Sequence, residues 1–440
     1  MSADLLYSET ERDLAAALAD LLADRAAPAD VIARTERTEA YDGKLWRTVA
    51  AEIGVAGLLI PEALGGAGAS YRELAAAAEQ FGAFAAPIPY LGSAAVAAAA
   101  LLSAARSAAA ADSADRPAGA AGAAAADDEG GFGSAASGPA AALRAAQLRA
   151  AAQAPAAGAS SGTRAAPVSP AAALLRQLAD GSLTAALAVT AATRSGTPFP
   201  ALARVTGRGA AGSGTVKLTG TIPAVTDALP ADVLLVPADG VPSALYLVEA
   251  AAPGVHRTPR VSLDMTRQLC DITLDGAPAR QVAVGAAAEA AVSAGLAAGA
   301  GILAAEQLGL AQRCLDLTVA YAKERRQFAR QIGSFQAIKH RLADLWTTIA
   351  LARAASRYAA ACLADDDPDA QVAVALAKSA CCEAAVNAAQ ECVQLHGGIG
   401  FTWEHPAHLY LKRAKAASVA YGTPGAHRAA LADLVNIPSP

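Results

Sequence analysis

The sequence predicts an α+β protein with an N-terminal helical domain, a middle antiparallel β-barrel or sandwich and a C-terminal four-helix bundle. Three observations support this prediction. Apolar residues recur at helical spacing up to Phe84, short β-branched runs separated by Gly, Pro and Asp turns follow between residues 182 and 282, and the helical period returns from residue 283. Short strands without helices between them are typical of an antiparallel unit set beside helical domains.

The N-terminal helical domain is assigned to residues 1–102. Ser8 and Glu11 have the spacing of a capping box, which predicts a helix start. A further helix is predicted over Tyr71–Phe84. The glycine-rich segment Pro61–Gly68 is interpreted as a turn between helices and not as a phosphate loop, because no lysine follows its glycines.

Residues 103–169 consist mainly of Ala, Gly, Ser and Pro with scattered charges. Such a composition buries too little side chain to offset the entropy lost on ordering, so we expect a disordered, low-complexity insertion. Residues 170–181 are predicted to hold the last helix of the N-terminal domain.

The middle β domain is assigned to residues 182–282 and the helical bundle to residues 283–440. Asp367 is predicted as an N-cap, with Pro368 in the first helical position. The predicted strands are Thr184–Thr190, Thr215–Leu218, Asp232–Val236, Leu245–Val248 and Gln268–Leu274.

Composition excludes several classes of function. A formal net charge of -5 provides no basic surface for nucleic acid. The six cysteines lie in apolar runs without metal-ligand spacing, which indicates reduced core residues, no metal site and a cytoplasmic location. The N-terminus lacks the pattern of an export signal, and the apolar run from Ala290 to Ala305 is judged too weakly hydrophobic to span a membrane.

Two segments carry the candidate binding residues. In the first, a helix is predicted to stop at Gly397 and Gly398, with Gln394 one turn earlier; side-chain-free backbone there lets another molecule approach closely. Thr402 is predicted to cap the next helix, which carries a basic cluster of Lys412, Arg413 and Lys415. Alone, this pattern is that of an ordinary helix end followed by an amphipathic helix.

The second segment lies at a predicted helix break, where Tyr321–Phe328 is followed by Gln331–Gln336. A guanidinium group such as that of Arg325 can fork onto a pyrophosphate in a way that lysine cannot. Phe328 offers a flat face for an adenine or flavin ring. The alternative is a solvated basic patch beside Glu324.

The two segments resemble acyl-CoA dehydrogenases, through R-x-Q-F followed by I-G-x-F-Q and through QLHGGIGFTWEHPAHLYLKRAK. The resemblance implies that fold, FAD as cofactor and removal of an α-proton and a β-hydride from an acyl-CoA thioester. It also implies a set of residues that reaches a neighbouring subunit's FAD: Arg325, Gln327, Phe328, Gln394, Gly397 and Gly398.

The residues that would serve the chain's own flavin depart from the family pattern. Of T-E-P-x-x-G-S only Thr190 is kept, and W-I-T-N appears as Ala224–Asp227, which keeps Thr226 but loses the tryptophan. In Y-E-G-T, whose Glu is the family's base, Tyr421 replaces the Glu while Thr423 is kept. The alternative base position, on the long helix at 299–301, holds no acid.

The resemblance therefore implies the base-less subunit of the actinobacterial α2β2 dehydrogenases that act on steroid side-chain CoA thioesters. A second dehydrogenase subunit would supply the base, and electron-transfer flavoprotein would be the electron acceptor. Glu306, the one acid in the middle of the long helix, is interpreted as structural. Two alternatives stay open: a self-sufficient homotetrameric enzyme with a non-standard base, and a flavin-free structural or acyl-carrier-binding homologue.

Overall fold

The computed structural model describes residues 5–37, 39–114, 169–208 and 214–437. Its N-terminal part is helical, as predicted. Short π-helical and 3-10 turns connect the helices, and one of these turns, Leu91–Ala97, runs directly into α5. The helices are α1 (Glu9–Arg25), α2 (Pro28–Thr35), α3 (Gly43–Arg47), α4 (Tyr71–Ala83), α5 (Ala98–Ala114) and α6 (Pro170–Ala179).

The predicted helix start at Ser8 is confirmed. Ser8 Oγ accepts a hydrogen bond from the Glu11 amide at 3.2 Å, and Glu11 Oε2 accepts one from the Ser8 amide at 2.5 Å. The predicted turn over residues 61–68 is also present, with Gly65 in the left-handed region at φ +82°.

The predicted start of the insertion at residue 103 is wrong, because α5 continues to Ala114. Leu101 and Ala104 are buried there, so packing keeps the chain helical where composition suggested disorder. The rest of the predicted insertion, from 115 to 168, lies outside the described residues.

A β-barrel forms the middle of the molecule. Strands β4, β2, β3, β7 and β5 pair in that order, and β4 also pairs with β5, which closes the ring. The interior is filled mainly by alanine and branched aliphatic side chains. The strands are β1 (Ala185–Leu187), β2 (Ala203–Arg208), β3 (Thr215–Thr226), β4 (Val233–Asp239), β5 (Ala244–Glu249), β6 (Val255–Arg260) and β7 (Leu269–Val284).

The barrel differs from the predicted one in two respects. Its strands are mixed and not purely antiparallel, because β4 pairs in parallel with β1 and with β2. Two strands, β2 and β6, were not predicted, and β3 and β7 are much longer than predicted.

The C-terminal part is a bundle of three long helices and two short ones within the described residues: α7 (Ala286–Glu324), α8 (Gln336–Ala364), α9 (Ala370–His396), α10 (Ala407–Val419) and α11 (Pro424–Leu434). A two-residue hairpin, β8 (Arg326–Gln327) with β9 (Arg330–Gln331), joins α7 to α8.

Two predicted helix starts in this bundle are wrong. Helix α9 begins at Ala370 and not at Pro368, because the Asp367 carboxylate accepts a hydrogen bond from the Asp369 amide and forms a turn before the helix. Thr402 does not cap α10: its hydroxyl donates to the Ile399 carbonyl at 2.8 Å, and the helix begins only at Ala407.

Small residues let the central helix α7 approach its neighbours closely. A side chain on Gly82 of α4 would overlap the backbone of Glu306, and one on Gly309 would overlap the backbone of Glu79. The barrel and both helical parts therefore meet around α7, and this junction positions the candidate site.

Three described helical stretches are long and apolar enough to cross a membrane by length and composition alone: Leu91–Ala111, Ala286–Glu324 and Ala370–Phe401. By that measure the prediction that the Ala290–Ala305 run is too weakly hydrophobic is wrong. The most apolar windows of the three are 56%, 61% and 67% buried inside the protein, so packing against other elements accounts for their apolar character.

Candidate functional site

The predicted binding segment around Arg325 forms a sharp corner at the end of α7. The Arg325 amide donates to the Tyr321 carbonyl and the Ile332 amide donates to the Arg325 carbonyl, both at 2.8 Å. At the tip, Phe328 and Ala329 have φ values of +52° and +61°, which turns the chain back on itself. The Phe328 ring is 89% exposed at this corner.

The corner presents cationic and polar side chains to the surface. Arg325, Arg326 and Gln327 are all exposed. Among the described residues, neither arginine forms an ion pair with a carboxylate. Guanidinium groups in this state suit an anionic ligand such as a pyrophosphate.

The predicted binding segment around Gly397 forms an open turn at the end of α9. Gly397 has φ +63°, a conformation that glycine adopts without strain. A Cβ atom placed on Gly397 or Gly398 would meet nothing within 4 Å, so both glycines leave backbone open to a ligand. Gln394, one turn earlier, is exposed as well.

An aromatic contact brings the two segments together. Tyr321, one turn before Arg325, stacks on His396, the residue before Gly397, with ring centroids 4.5 Å apart. The six residues predicted to contact a neighbouring FAD thus lie at two adjacent corners of the bundle. Exposed guanidinium groups beside open glycine backbone fit the diphosphate group of that cofactor.

The predicted own-flavin residues come from three segments that meet beside the barrel. The Ala191 amide donates to the Ala224 carbonyl at 2.9 Å, and the Tyr421 amide donates to the Ala191 carbonyl at 2.7 Å. Thr190 and Thr423 line one cleft there, of about 760 Å³, which is large enough for a small ligand.

The three threonines of this set have different environments. Thr190 forms a β-bridge with Val225. Thr423 caps α11 by accepting the Ala426 amide at 3.2 Å. Thr226 is buried, and its hydroxyl has no hydrogen-bond partner among the described residues. A buried hydroxyl without a partner is unusual, and a bound flavin would fit this position.

Tyr421, at the family's base position, is a buried packing residue. Its side chain is 4% exposed and its φ is +53°. A Cβ atom on Gly299 would lie 2.8 Å from Tyr421 Cε1 and 2.9 Å from Val96 Cγ2. One phenol ring therefore fills the space at both base positions of the family, the one at 421 and the one on α7.

The environment of Tyr421 opposes ionisation of the phenol. Burial raises the pKa of Tyr421, and the nearby Asp227 carboxylate raises it further. At neutral pH the phenol is therefore uncharged and cannot accept an α-proton.

The acids near this ring are held in a buried network. The Glu306 carboxylate accepts hydrogen bonds from Arg267 and from Arg413, whose Nε atom lies at 2.9 Å, and also from Tyr90. Burial alone would raise the pKa of Glu306, but the two guanidinium groups lower it to about 2. These contacts agree with the interpretation of Glu306 as a structural residue.

Asp227 is the second buried acid of this region. It accepts hydrogen bonds from the Tyr41 hydroxyl at 2.6 Å and from the Gly92 amide at 2.9 Å. Burial raises the pKa of Asp227 despite these partners and the charge of Arg267. Since Asp227 is fully enclosed, it too links domains and does not face the cleft.

Sequence reasoning missed most of this network. Arg413 was placed in a basic cluster, but its side chain is fully buried and bound to Glu306, which corrects that assignment. The available signal was the position of Arg413 at i+3 and i+4 from Tyr410 and Leu409, both of which face the core.

Comparisons with known proteins agree with this fold. The family model described as acyl-CoA dehydrogenase, C-terminal domain, matches residues 289–435, and the model described as acyl-CoA dehydrogenase, N-terminal domain, matches residues 8–111. Acyl-CoA dehydrogenase IpdE2 of Mycobacterium tuberculosis is 31% identical over 406 residues, which cover 92% of this chain and 91% of that protein.

Solved structures show the same architecture. The ChsE4-ChsE5 complex from Mycobacterium tuberculosis is 26% identical, covers 100% of both chains and has a TM-score of 0.73. A variant of the Tcur3481-Tcur3483 steroid acyl-CoA dehydrogenase is 27% identical, covers 97% of this chain and 98% of that one, and has a TM-score of 0.71.

The predictions of fold and of FAD as the cofactor are confirmed for the family. A glutaryl-CoA dehydrogenase from Mycobacterium smegmatis, solved with FADH2, has the same fold, with 18% identity, coverage of 99% of this chain and 96% of that one, and a TM-score of 0.72. The matches of both terminal domains and the full-length relative lead to one conclusion. The chain belongs to the acyl-CoA dehydrogenase family.

Proposed function

We propose that this chain is the base-less subunit of a heterotetrameric, FAD-dependent dehydrogenase that desaturates an acyl-CoA thioester between its α and β carbons. Its role is to clamp the FAD of a partner subunit, and the partner supplies the catalytic carboxylate. FAD, when bound, accepts the hydride from the β carbon. The chain's own residues bind and orient the cofactor.

The packing of Tyr421 against Gly299 is the observation that carries this proposal. A general base must lie within hydrogen-bond reach of the proton that it removes. At position 421 the family carboxylate is replaced by a buried neutral phenol, and Gly299 has no space for a side chain. The acids enclosed nearby, Glu306 and Asp227, are bound to other groups.

The clamp residues support the second half of the proposal. Arg325, Gln327 and Phe328 are exposed at the corner between α7 and α8, and the open turn at Gly397 lies beside it. This chain leaves these arginines and this glycine backbone exposed at the surface of the bundle. They therefore suit a ligand that another subunit holds.

The relatives support a heteromeric assembly and a steroid-derived substrate. Two of the similar structures are two-component assemblies by name, ChsE4-ChsE5 and Tcur3481-Tcur3483, and the latter is described as a steroid acyl-CoA dehydrogenase. We extend both features to this chain, with an acyl-CoA substrate, a second dehydrogenase subunit and electron-transfer flavoprotein as acceptor. We also propose that the complex acts in the cytoplasm, with neither nucleic acid nor membrane as a partner.

One observation favours the alternative of a self-sufficient enzyme. The buried Thr226 hydroxyl lacks a partner among the described residues, and the cleft beside Thr190 and Thr423 is open. Both features fit a flavin bound by this chain itself. Such an enzyme would still need a base that neither family position provides.

Co-expression with a second acyl-CoA dehydrogenase subunit from the same organism, followed by an absorbance spectrum and a native mass, tests the proposal. We expect the chain alone to be inactive and the complex to be a yellow, active heterotetramer. A yellow and active homotetramer would establish the self-sufficient enzyme. A complex that stays colourless with saturating FAD would instead indicate that the chain is a flavin-free structural subunit.

A further inference from the structure

His396 lies at the point where the two clamp segments meet. It is the last residue of α9, directly before Gly397, and it is only 4% exposed. One neighbour of its ring is Tyr321, at a centroid distance of 4.5 Å and an interplanar angle of 29°. The other is His405, at 4.3 Å and 45°.

These contacts connect three segments through one imidazole ring. Tyr321 belongs to the last turn of α7, and its carbonyl accepts the amide of Arg325. Gly397 continues the chain from His396 into the open turn, and His405 precedes α10. Any displacement of the His396 ring would therefore change how the Arg325 corner and the Gly397 turn lie relative to each other.

The ring is also paired with a cysteine. His396 Nδ1 lies 2.7 Å from the Cys392 carbonyl oxygen and 3.7 Å from Cys392 Sγ. A carbonyl oxygen only accepts, so Nδ1 carries a proton and donates it. A second proton, which makes the ring cationic, must then be taken up at Nε2.

The groups around His396 favour the cationic ring. The Cys314 thiol on α7, followed by His396 and Thr318, lowers the pKa of Cys392 to about 5 despite its burial. Burial alone would lower the pKa of His396, but its bonds to Cys392 raise that pKa above the usual 6.5.

The other titratable groups near the ring, His405 and His408, come from the start of α10 and the residues before it. His405 has a lowered pKa, first because of burial and then because of the charge on His396. Burial also lowers the pKa of His408. Both rings are therefore neutral where His396 is charged, and the positive charge is concentrated beside Gly397.

We propose that His396 is a positioning residue of the FAD clamp, and that its cationic form holds the Arg325 corner and the Gly397 turn in the arrangement that binds the cofactor's pyrophosphate. This inference rests on the proposed clamp function and adds a pH dependence to it. An anion bound near an imidazolium ion favours the protonated ring, so cofactor binding is coupled to proton uptake.

The direction of the effect follows from linkage. A histidine whose pKa is raised contributes its stabilisation below that pKa, and the contribution disappears as the pH rises through it. FAD affinity should therefore fall as the pH increases through the pKa of His396, which lies above 6.5. The fall should be about tenfold for each unit by which bound FAD raises the pKa of His396.

The test measures the FAD dissociation constant of the assembled complex between about pH 5 and about pH 8, where histidine titrates. Four variants are compared with wild type. His396→Gln keeps a donor but cannot become charged, and His396→Phe keeps the flat ring alone. Cys392→Ser weakens the partner of the imidazolium ion. His408→Gln is the control, because that ring contacts Trp403 and not Tyr321.

We expect His396→Gln and His396→Phe to remove the pH-dependent part of FAD affinity, and His408→Gln to leave it in place. Cys392→Ser should shift the midpoint of the fall in FAD affinity to lower pH. This variant therefore also provides a test if the His396 variants fail to assemble. A His396→Gln complex with the wild-type pH profile would overturn the inference.

Arg325→Ala separates this inference from the proposed function. If Arg325→Ala weakens FAD binding while the His396 variants keep the wild-type pH profile, only the role of His396 is refuted. If Arg325→Ala has no effect on FAD binding, the clamp itself is refuted.

Discussion

Replacing Gly299 with alanine tests whether the Tyr421 ring fills the space at both base positions. The new Cβ would lie 2.8 Å from Tyr421 Cε1 and 2.9 Å from Val96 Cγ2, closer than normal carbon contacts. Such overpacking costs about 1–3 kcal/mol. Alanine in place of a helical glycine recovers roughly 0.5–1 kcal/mol, so we expect a net loss of about 1 kcal/mol.

The same substitution should cost less stability once the ring is gone. In a Tyr421→Ala background the clash with the ring disappears and only the contact with Val96 Cγ2 at 2.9 Å remains, so Gly299→Ala should then destabilise less than it does in wild type. The coupling between the two changes is measured as a double-mutant cycle, from calorimetric melting temperatures of the assembled complex.

Gly301→Ala provides a matched control on the same helix. Its Cβ would meet the flexible end of Leu363 at 2.8 Å and not the Tyr421 ring, so its effect should be the same in both backgrounds. If Gly299→Ala also had the same effect with and without the Tyr421 ring, the packing argument would be refuted.

Two further predictions concern the clamp and the buried network. Arg325→Ala should weaken FAD binding by the complex roughly tenfold to a hundredfold, and Arg325→Lys should weaken it less; equal FAD retention in wild type and both variants would contradict the clamp. Glu306→Gln should destabilise the protein by about 3–5 kcal/mol, because it leaves two buried guanidinium groups without a carboxylate, whereas Glu289→Gln on the exposed face of α7 should have little effect.

The lowered pKa of Glu306 predicts how the stability of the protein changes with pH. Its pKa is lowered from 4.5 to about 2 in the folded protein, so its contribution is present above pH 4.5 and is lost as the pH falls toward 2. Urea unfolding in this range should show a steeper acid loss for wild type than for Glu306→Gln. Parallel curves would mean that the ion pairs contribute no net stability.

The barrel was predictable in outline because its interior strands carry apolar runs. The strands that were missed have different patterns. β6 contains Pro259 and three charged or imidazole side chains, and β2 has Gly207 and two arginines. β6 pairs only with β7, so it lies at an edge where proline and charge are tolerated, and propensity cannot reveal such a strand.

The candidate site was predictable where local sequence determines it. The glycine turn at Gly397 and the corner at Arg325 are local features, and the structure contains both. The burial of Arg413 and the enclosure of Tyr421 depend on contacts with residues more than a hundred positions away, such as Glu306 and Gly299. Those contacts are set by tertiary packing, which no short pattern in the sequence encodes.

Substitution of Tyr421 is the most direct test of the central claim that this subunit carries no base. Turnover of the assembled complex is compared for wild type and Tyr421→Phe, with FAD content and native mass as controls. Phenylalanine keeps the buried ring and removes only a neutral hydroxyl, so we predict turnover within a few-fold of wild type. A true general base contributes about 10²–10⁴-fold; a hundredfold fall in turnover, with unchanged FAD content and assembly, would contradict the account.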